Sequence, residues 1–217
     1  MNNFNKDLKA EGELGKYLDK YFYKQYSMLT NVKRITKQNQ QYAGIDVAAN
    51  YQNQEICIDE KGYLSISKPG KTFALELSYL NKYNERKIGW LFDNTKQTTH
   101  YLFCWNKRDE NVEHKDVIEK DFHYITAMFI DRNKLLNYLD SNYNINIDTS
   151  ISTVKNILSS GQAGSLHTIG DNTKSKYFYS TQLLEQPINI VMDKNELEHI
   201  CDDYFLIKRS ELKSIKR

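Results

Sequence analysis

Cysteine is scarce in this chain and poorly placed for crosslinking. The three cysteines, at 57, 104 and 201, stand far apart in apolar surroundings. An odd, scattered set excludes a disulfide framework and reads as reduced, buried core thiols of a cytoplasmic protein. An excess of charge of one sign is also missing. Thirty Lys and Arg against 28 Asp and Glu leave a net charge of +2, so the chain is no polycation. Any contact with nucleic acid must then come from a local basic surface. No apolar run approaches membrane-spanning length, and the opening MNNFNKDLKAEGE is too polar for a signal peptide. The expectation is a protein with no membrane partner that stays in the cytoplasm.

Familiar catalytic signatures are absent as well. The histidines at 100, 114, 123, 167 and 199 follow no zinc spacing and form no HExxH or HxH pair. There is no Gly-x-Ser-x-Gly elbow for a hydrolytic serine. Ser160-Gly161-Gln162-Ala163-Gly164 lacks the Gly-Lys-Ser/Thr of a phosphate-binding loop. A nucleophilic cysteine needs an exposed thiol beside a base, which apolar surroundings do not offer.

What is present suits a soluble globular protein: 217 residues, 40% hydrophobic, with 16 tyrosines. That length allows one good-sized domain, or a domain with an appendage. The most informative stretch is QYAGIDVAANYQNQEICIDEK, residues 41–61. Gly44 to Ala49 and Glu55 to Ile58 read as two strands of a hairpin, with turn chemistry in Ala49 to Gln54. Asp46 interrupts an otherwise apolar strand, where an unpaired charge is costly. Asp59 and Lys61 stand two apart, so they share a strand face with Glu60 opposite. In simple antiparallel register Asp46 lies beside that Asp-x-Lys pair. The competing reading makes Asp59 to Gly62 a solvated hairpin tip, because Asp-Glu-Lys-Gly is good turn chemistry.

Two carboxylates and an ammonium in one small volume suit phosphodiester hydrolysis. Mg²⁺ takes one or two carboxylates and keeps several waters. It polarises a phosphoryl oxygen and lowers the pKa of bound water. A neighbouring lysine orients that water or offsets charge building in the transition state. The spacing Asp46-x(12)-Asp59-x-Lys61 resembles the core motif of the PD-(D/E)XK nuclease superfamily, with Ile45 standing where the motif has proline. With its flanking elements the resemblance spans residues 8–105. It implies a metal-dependent endonuclease of restriction or mobile-element type, using Mg²⁺, for which Mn²⁺ can substitute, to cut DNA. The implied metal ligands are Asp46 and Asp59 with the Glu60 carbonyl, and Lys61 is implied to position the attacking water. A glutamate from the first helix often reaches the metal in such enzymes, which makes Glu11 a supporting candidate and Glu13 an alternative to it. An acidic first turn also complements the helix dipole without any catalytic role. Glu76, inside the apolar strand TFALELSYL, offers a rival register in which Glu76-Leu77-Ser78 replaces Asp-x-Lys; Asp59 is preferred because it keeps the lysine. A two-fold homodimer is expected if both strands are cut. The alternative is a non-catalytic nucleic-acid or protein-binding module on the same fold.

Read in order, residues 8–28 carry a helical apolar stripe of Leu14, Leu18, Tyr21, Phe22 and Tyr26, on which Glu11 also falls. Strands are expected at Met28–Thr36, Tyr63–Ser67, Thr72–Leu80, Thr98–Trp105, Phe122–Ile130, Tyr177–Thr181 and Ile188–Met192. Helices are expected at Asn133–Leu139, Thr149–Ser159 and after Asp193, where Asp193 and Glu196 form a capping box. The superfamily places a helix after the Asp-x-Lys strand, whereas residues 62–80 read as strands. The tail IKRSELKSIKR reads as a solvated basic end that can touch phosphate. The expected fold is α/β: a mixed central sheet flanked by helices, restriction-endonuclease-like over 1–145. Residues 146–217 form a smaller C-terminal α+β extension, which belongs either to that domain or beside it.

Overall fold

The computed structural model describes residues 3–215. In chain order its elements are α1 (Asn3–Tyr21), β1 (Leu29–Arg34), α2 (Gln38–Tyr42), β2 (Val47–Tyr51), β3 (Gln54–Tyr63), β4 (Thr72–Leu80), β5 (Arg86–Ile88), β6 (His100–Arg108), β7 (Phe122–Asp131), α3 (Arg132–Tyr143), α4 (Ile147–Ser160), β8 (Gly164–Thr168), β9 (Lys176–Tyr179), β10 (Ile188–Asp193), α5 (Lys194–Ile200), β11 (Asp203–Lys208) and β12 (Leu212–Ser214). The fold is α/β, with a mixed seven-stranded sheet, a five-stranded antiparallel sheet and, among the described residues, five helices. Two compact units result. One comprises the chain up to Gly70, then 97–132, then Cys201 onward; the other comprises 71–96 and 133–200. These divisions do not coincide with position 145, and β11 and β12 return to the first unit's sheet. Among the described residues no helix is long and apolar enough to cross a membrane.

The first unit's sheet runs in the order β1-β2-β3-β6-β7-β11-β12. All its pairs are antiparallel except β3 with β6. A parallel pair needs a long crossover, and here the chain leaves for the second unit between β3 and β6. Alternation sends Ile56 and Ile58, Leu102 and Cys104, Ala127 and Phe129, and Phe205 and Ile207 to one core. Ala10, Leu14 and Leu18 meet them from α1, at spacings of four residues that keep them on one helical stripe, and Phe22 joins them just past its end. The approach is close enough to require Gly62. A Cβ there would lie 2.8 Å from a methyl of Leu14.

Several expectations change. Helix α1 ends at Tyr21 rather than 28. The apolar spacing continues beyond it because Phe22 and Tyr26 wedge against Phe205, with ring centroids at 5.1 and 4.8 Å, not because the helix does. The β2–β3 turn is only Gln52-Asn53, both with positive φ (50° and 64°), the backbone of a two-residue primed turn. Strand β3 therefore runs ten residues to Tyr63, and Asp59 to Gly62 is interior strand instead of a hairpin tip. Residues 64–67 form no strand; side chains hold them, Asn106 Nδ2 donating to the Tyr63 and Ile66 carbonyls at 3.0 and 2.8 Å. The basic tail is not a frayed end either. Ile207 lies in β11 beside Ile125 of β7, and Leu212–Ser214 pairs back as β12; residues 216–217 of that tail lie outside the described residues. Of the cysteines, 104 and 201 are buried, whereas Cys57 is only half-buried on the outward side of β3, and none of the three is in a disulfide.

In the second unit the sheet order is β5-β4-β10-β9-β8, with α4 against β4 and α5 against β10. Asn146 caps α4 by accepting from the Thr149 N–H at 3.1 Å, and Gly161 closes it with a φ of 67°. The capping box expected at Asp193 and Glu196 does not form. Asp193 ends β10, and the Glu196 carboxylate instead accepts from the hydroxyls of Thr173, Ser175, Tyr138 and Tyr143.

One ion pair secures β3 to α1 in the first unit. Arg34 Nη1 and Nη2 reach the Glu60 carboxylate at 2.6 and 3.0 Å, and the same guanidinium contacts Asp19 at 2.6 Å and the Gly15 carbonyl at 3.1 Å. Tyr23 donates its hydroxyl to Glu60 at 2.7 Å. Removing one partner of a buried pair strands the other charge, which costs about 3–5 kcal/mol. Arg34→Ala is expected to lower the melting temperature by roughly 10 °C, and Arg34→Met combined with Glu60→Leu to recover most of that loss. Equal melting curves for wild type and Arg34→Ala would show that the pair does not secure β3.

Candidate active site

Asp46 sits in the residue before β2, and backbone bonds on both sides fix it. Its carbonyl accepts from the Ile35 N–H at 2.8 Å, and its N–H donates to the Ile58 carbonyl at 2.9 Å. The turn leading into it needs Gly44, at φ 75°. The segment just before β6 ties that turn down: the Gln97 N–H donates to the Ala43 carbonyl at 2.8 Å and Thr98 Oγ1 to the Gly44 carbonyl at 2.7 Å. So held, the Asp46 carboxylate accepts the Glu60 N–H at 2.8 Å. Pairing of β2 with β3 stops at Val47 and Ile58. N–H and C=O of one strand residue leave on the same edge, so the Glu60 carbonyl faces the edge where β2 has ended.

Asp59 and Lys61 share the opposite face of β3 from the α1 core. Lys61 Nζ lies 2.9 Å from Asp59 Oδ1. Asp59 is 4% exposed, and Asp46 is within hydrogen-bonding reach of it. Burial pushes the Asp59 carboxyl up to about 7; Lys61 pulls it down, but Asp46 adds to the rise. Lys61 is shifted the other way in charge terms. Burial works to lower its pKa, yet Asp59, then Asp46, then Glu11 outweigh burial and hold the ammonium above its ordinary value. Two sequence candidates thus converge with the lysine, and the charge of exposed Glu11 on α1 reaches it more weakly.

The other candidates are placed elsewhere. The Glu60 side chain points to the α1 face and belongs to Arg34 and Tyr23, so only its backbone adjoins Asp46. Glu13 is clipped by Lys16 at 2.6 Å and accepts from the Glu119 N–H at 2.8 Å. Glu76 lies on β4 in the second unit, alternating with buried Leu75 and Leu77, and accepts weakly from the Trp90 N–H at 3.4 Å. Its backbone carbonyl explains Gly89, where a Cβ would come within 2.3 Å of that oxygen.

Two neighbours of these residues escape sequence reasoning. In the parallel β3–β6 register Asp59 stands beside Tyr101. The Tyr101 hydroxyl accepts from Arg132 Nε at 3.2 Å. Burial pushes that hydroxyl up to about 12; Arg132 and Lys61 pull it down, and Asp59 pushes it up. Within TTHYLFCW, Tyr101 looks like one more buried aromatic, and only the register reveals what it faces. Among the described residues, no group of three or more His, Cys, Asp and Glu is placed to hold a metal ion. The acid pair Asp46 and Asp59 with the Glu60 carbonyl still matches the donor set of Mg²⁺, which takes one or two carboxylates and keeps its waters.

No family model, no curated protein and no solved structure matches the chain.

The raised Asp59 pKa has a sign that can be measured. Unfolded, the group titrates near 3.8; folded, it keeps its proton to about 7. The folded state binds more protons across that window, so stability falls as pH rises from about 4 to 7. A rise of that size corresponds at most to a loss on the order of 4 kcal/mol. In chelator, wild type is expected to be more stable at pH 5 than at pH 8. Asp59→Asn should flatten that slope and melt higher than wild type at pH 8. Denaturant melts at both pH values check it, and an unchanged slope in Asp59→Asn would refute the assignment.

Proposed function

We propose that the chain hydrolyses phosphodiester bonds of DNA in a Mg²⁺-dependent reaction, as an endonuclease of restriction or mobile-element type on a PD-(D/E)XK-like core. The observation that carries this reading is the meeting of Asp46, Asp59 and Lys61 at the point where β2 ends against β3. The surrounding order supports it: a first helix, the β1–β2–β3 meander, and β6 alongside as a fourth core strand. Where the resemblance calls for a helix after the Asp-x-Lys strand, the chain has instead the 71–96 portion of the second unit.

Asp46 and Asp59, with the Glu60 carbonyl, would hold Mg²⁺ or Mn²⁺. A divalent ion there supplies polarisation of a phosphoryl oxygen and a lowered pKa for bound water. Lys61 keeps its proton at neutral pH. Its role is therefore to orient the attacking water and offset developing negative charge, not to act as the base. Glu11 is the supporting acid in this reading; Glu76, on β4 of the second unit, has no part in it. One such site cuts one strand, so double-strand cleavage would call for a two-fold homodimer. Light scattering with and without duplex measures that state.

A second reading has one observation in its favour. The described residues assemble no group of three or more metal-ligating side chains, which suits a binding module that keeps the fold without cleaving. Single-turnover plasmid cleavage in Mg²⁺, beside a gel shift in Ca²⁺, separates the two. Asp46→Asn is expected to abolish nicking without unfolding. Lys61→Ala should slow cleavage by roughly two to three orders of magnitude while changing DNA affinity little. Lys61→Arg should restore little, because a planar guanidinium does not replace a compact ammonium. Equal cleavage by wild type and Lys61→Ala would sink the enzyme reading; binding without any cleavage would favour the module.

A further inference from the structure

We infer that the cleft between α4 and β8, within the second unit, is a binding pocket for a nucleobase. It lies beyond the proposed function and needs nothing from Asp46, Asp59 or Lys61. The chain reverses at Gly161, so the last two turns of α4 face β8 across a cleft of about 270 Å³. A bulge shapes the β8 wall. Ser165 pairs with Phe178 and Thr168 with Lys176, so Leu166 and His167 stand together opposite Tyr177 alone. Strict alternation would send those two side chains to opposite faces; here both line the cleft. Tyr177, itself buried, backs the imidazole of His167 with ring centroids 5.2 Å apart.

Some polar groups of the lining are already spent. Ser160 Oγ donates to the Ile157 carbonyl at 2.8 Å, and Thr153 is within hydrogen-bonding reach of the Tyr177 hydroxyl. The side-chain amides of Asn156 and Gln162 and the ring nitrogens of His167 have no hydrogen-bond partner among the described residues, and all three side chains line the cleft. Ile157, 4% exposed, and Leu166 add an apolar wall. Among the described residues no Asp, Glu, Lys or Arg lines the cleft, and the 160–164 loop lacks the lysine of a phosphate site. The chemistry therefore suits an uncharged ligand. A volume just under the roughly 300–1,000 Å³ of drug-sized pockets holds one ring system. A nucleobase has apolar faces for Ile157 and Leu166 and alternating donors and acceptors along its edge. A carboxamide matches such an edge with two bonds, as Asn and Gln do at adenine N6 and N7.

The test titrates adenosine into the full chain and follows backbone and side-chain amide signals by two-dimensional NMR. Ribose and inorganic phosphate serve as probes that lack the base. Adenosine is expected to give saturable shifts confined to 153–167 and the residues paired with β8, including the side-chain amides of Asn156 and Gln162. A dissociation constant on the order of 1 mM is in keeping with so small a ligand. Asn156→Ala, Gln162→Ala and His167→Ala should each weaken binding about five-fold, the effect of one hydrogen bond. Their melting temperatures should stay at the wild-type value, because all three side chains are exposed. A short single-stranded oligo-dA identifies the source of the base. Displacement of adenosine by the oligomer, weakened by Asn156→Ala, would assign the cleft to a base carried on a strand; binding of adenosine alone would assign it to the free nucleoside. No saturable shift with either probe, up to the solubility of adenosine, would overturn the inference. So would equal affinity in wild type and all three variants, or shifts that ribose or phosphate reproduces.

Discussion

Three consecutive charged residues in the middle of a sheet strand are held there by the ion pair between Arg34 and Glu60. A strand alternates faces, so Asp59 and Lys61 can point to one side only if Glu60 points to the other, into the α1 core. A lone carboxylate in that core would be untenable. Arg34 makes it tolerable with two bonds to Glu60, and Tyr23 adds a third. Asp19 and the Gly15 carbonyl then occupy the rest of the guanidinium, which ties β1, β3 and α1 together. The ion pair on one face thus permits the Asp59–Lys61 pair on the other.

That other face is short of positive charge. Asp59 leans on Lys61 at 2.9 Å, yet burial and the Asp46 carboxyl still drive its pKa to about 7. A resting site with a crowded acid pair and a firmly protonated lysine has a standing preference for more cation. A divalent ion at the two acids would relieve that imbalance. The two acids are not equivalent in their surroundings. Asp46 has the Glu60 N–H as a donor to its carboxylate, whereas Asp59 is the more deeply buried and relies on the lysine.

The site was legible in the sequence where it depended on local pattern. An aspartate inside an apolar strand, and an Asp-x-Lys pair on one face of the next, can be read from alternation alone. The α/β class, the α1 stripe and most strands follow from the same periodicities. What escaped depended on partners distant in the chain. The hairpin-tip alternative looked credible because Asp-Glu-Lys-Gly suits a turn, and only the pairing of 58–63 with β6 shows that the strand continues. DYFLIK, at 203–208, has the alternation of a strand but borders a basic tail, and its place against β7 is set by residues over seventy positions away. Glu196 looked like a cap because its local spacing fits one; the four hydroxyls that claim it come from α3 and the 173–175 loop. Arg132 carried no sequence signal, since nothing local marks an arginine at a strand–helix junction as a neighbour of Tyr101.

Register is where fold and function meet most tightly. Slipping a strand by one residue sends every side chain to the opposite face. For β3 that would put Glu60 among the site residues and drive Asp59 and Lys61 into the α1 core. Two devices on opposite edges resist it. The two-residue Gln52-Asn53 turn fixes β3 against β2, and the parallel ladder with β6 fixes its second half independently. The Arg34–Glu60 pair adds a chemical lock, because the guanidinium holds the Glu60 carboxylate with two bonds from the core side. A single strand is therefore indexed by a turn at its start, a neighbour along its end and an ion pair beneath its centre, and the positions of Asp59 and Lys61 inherit the accuracy of all three.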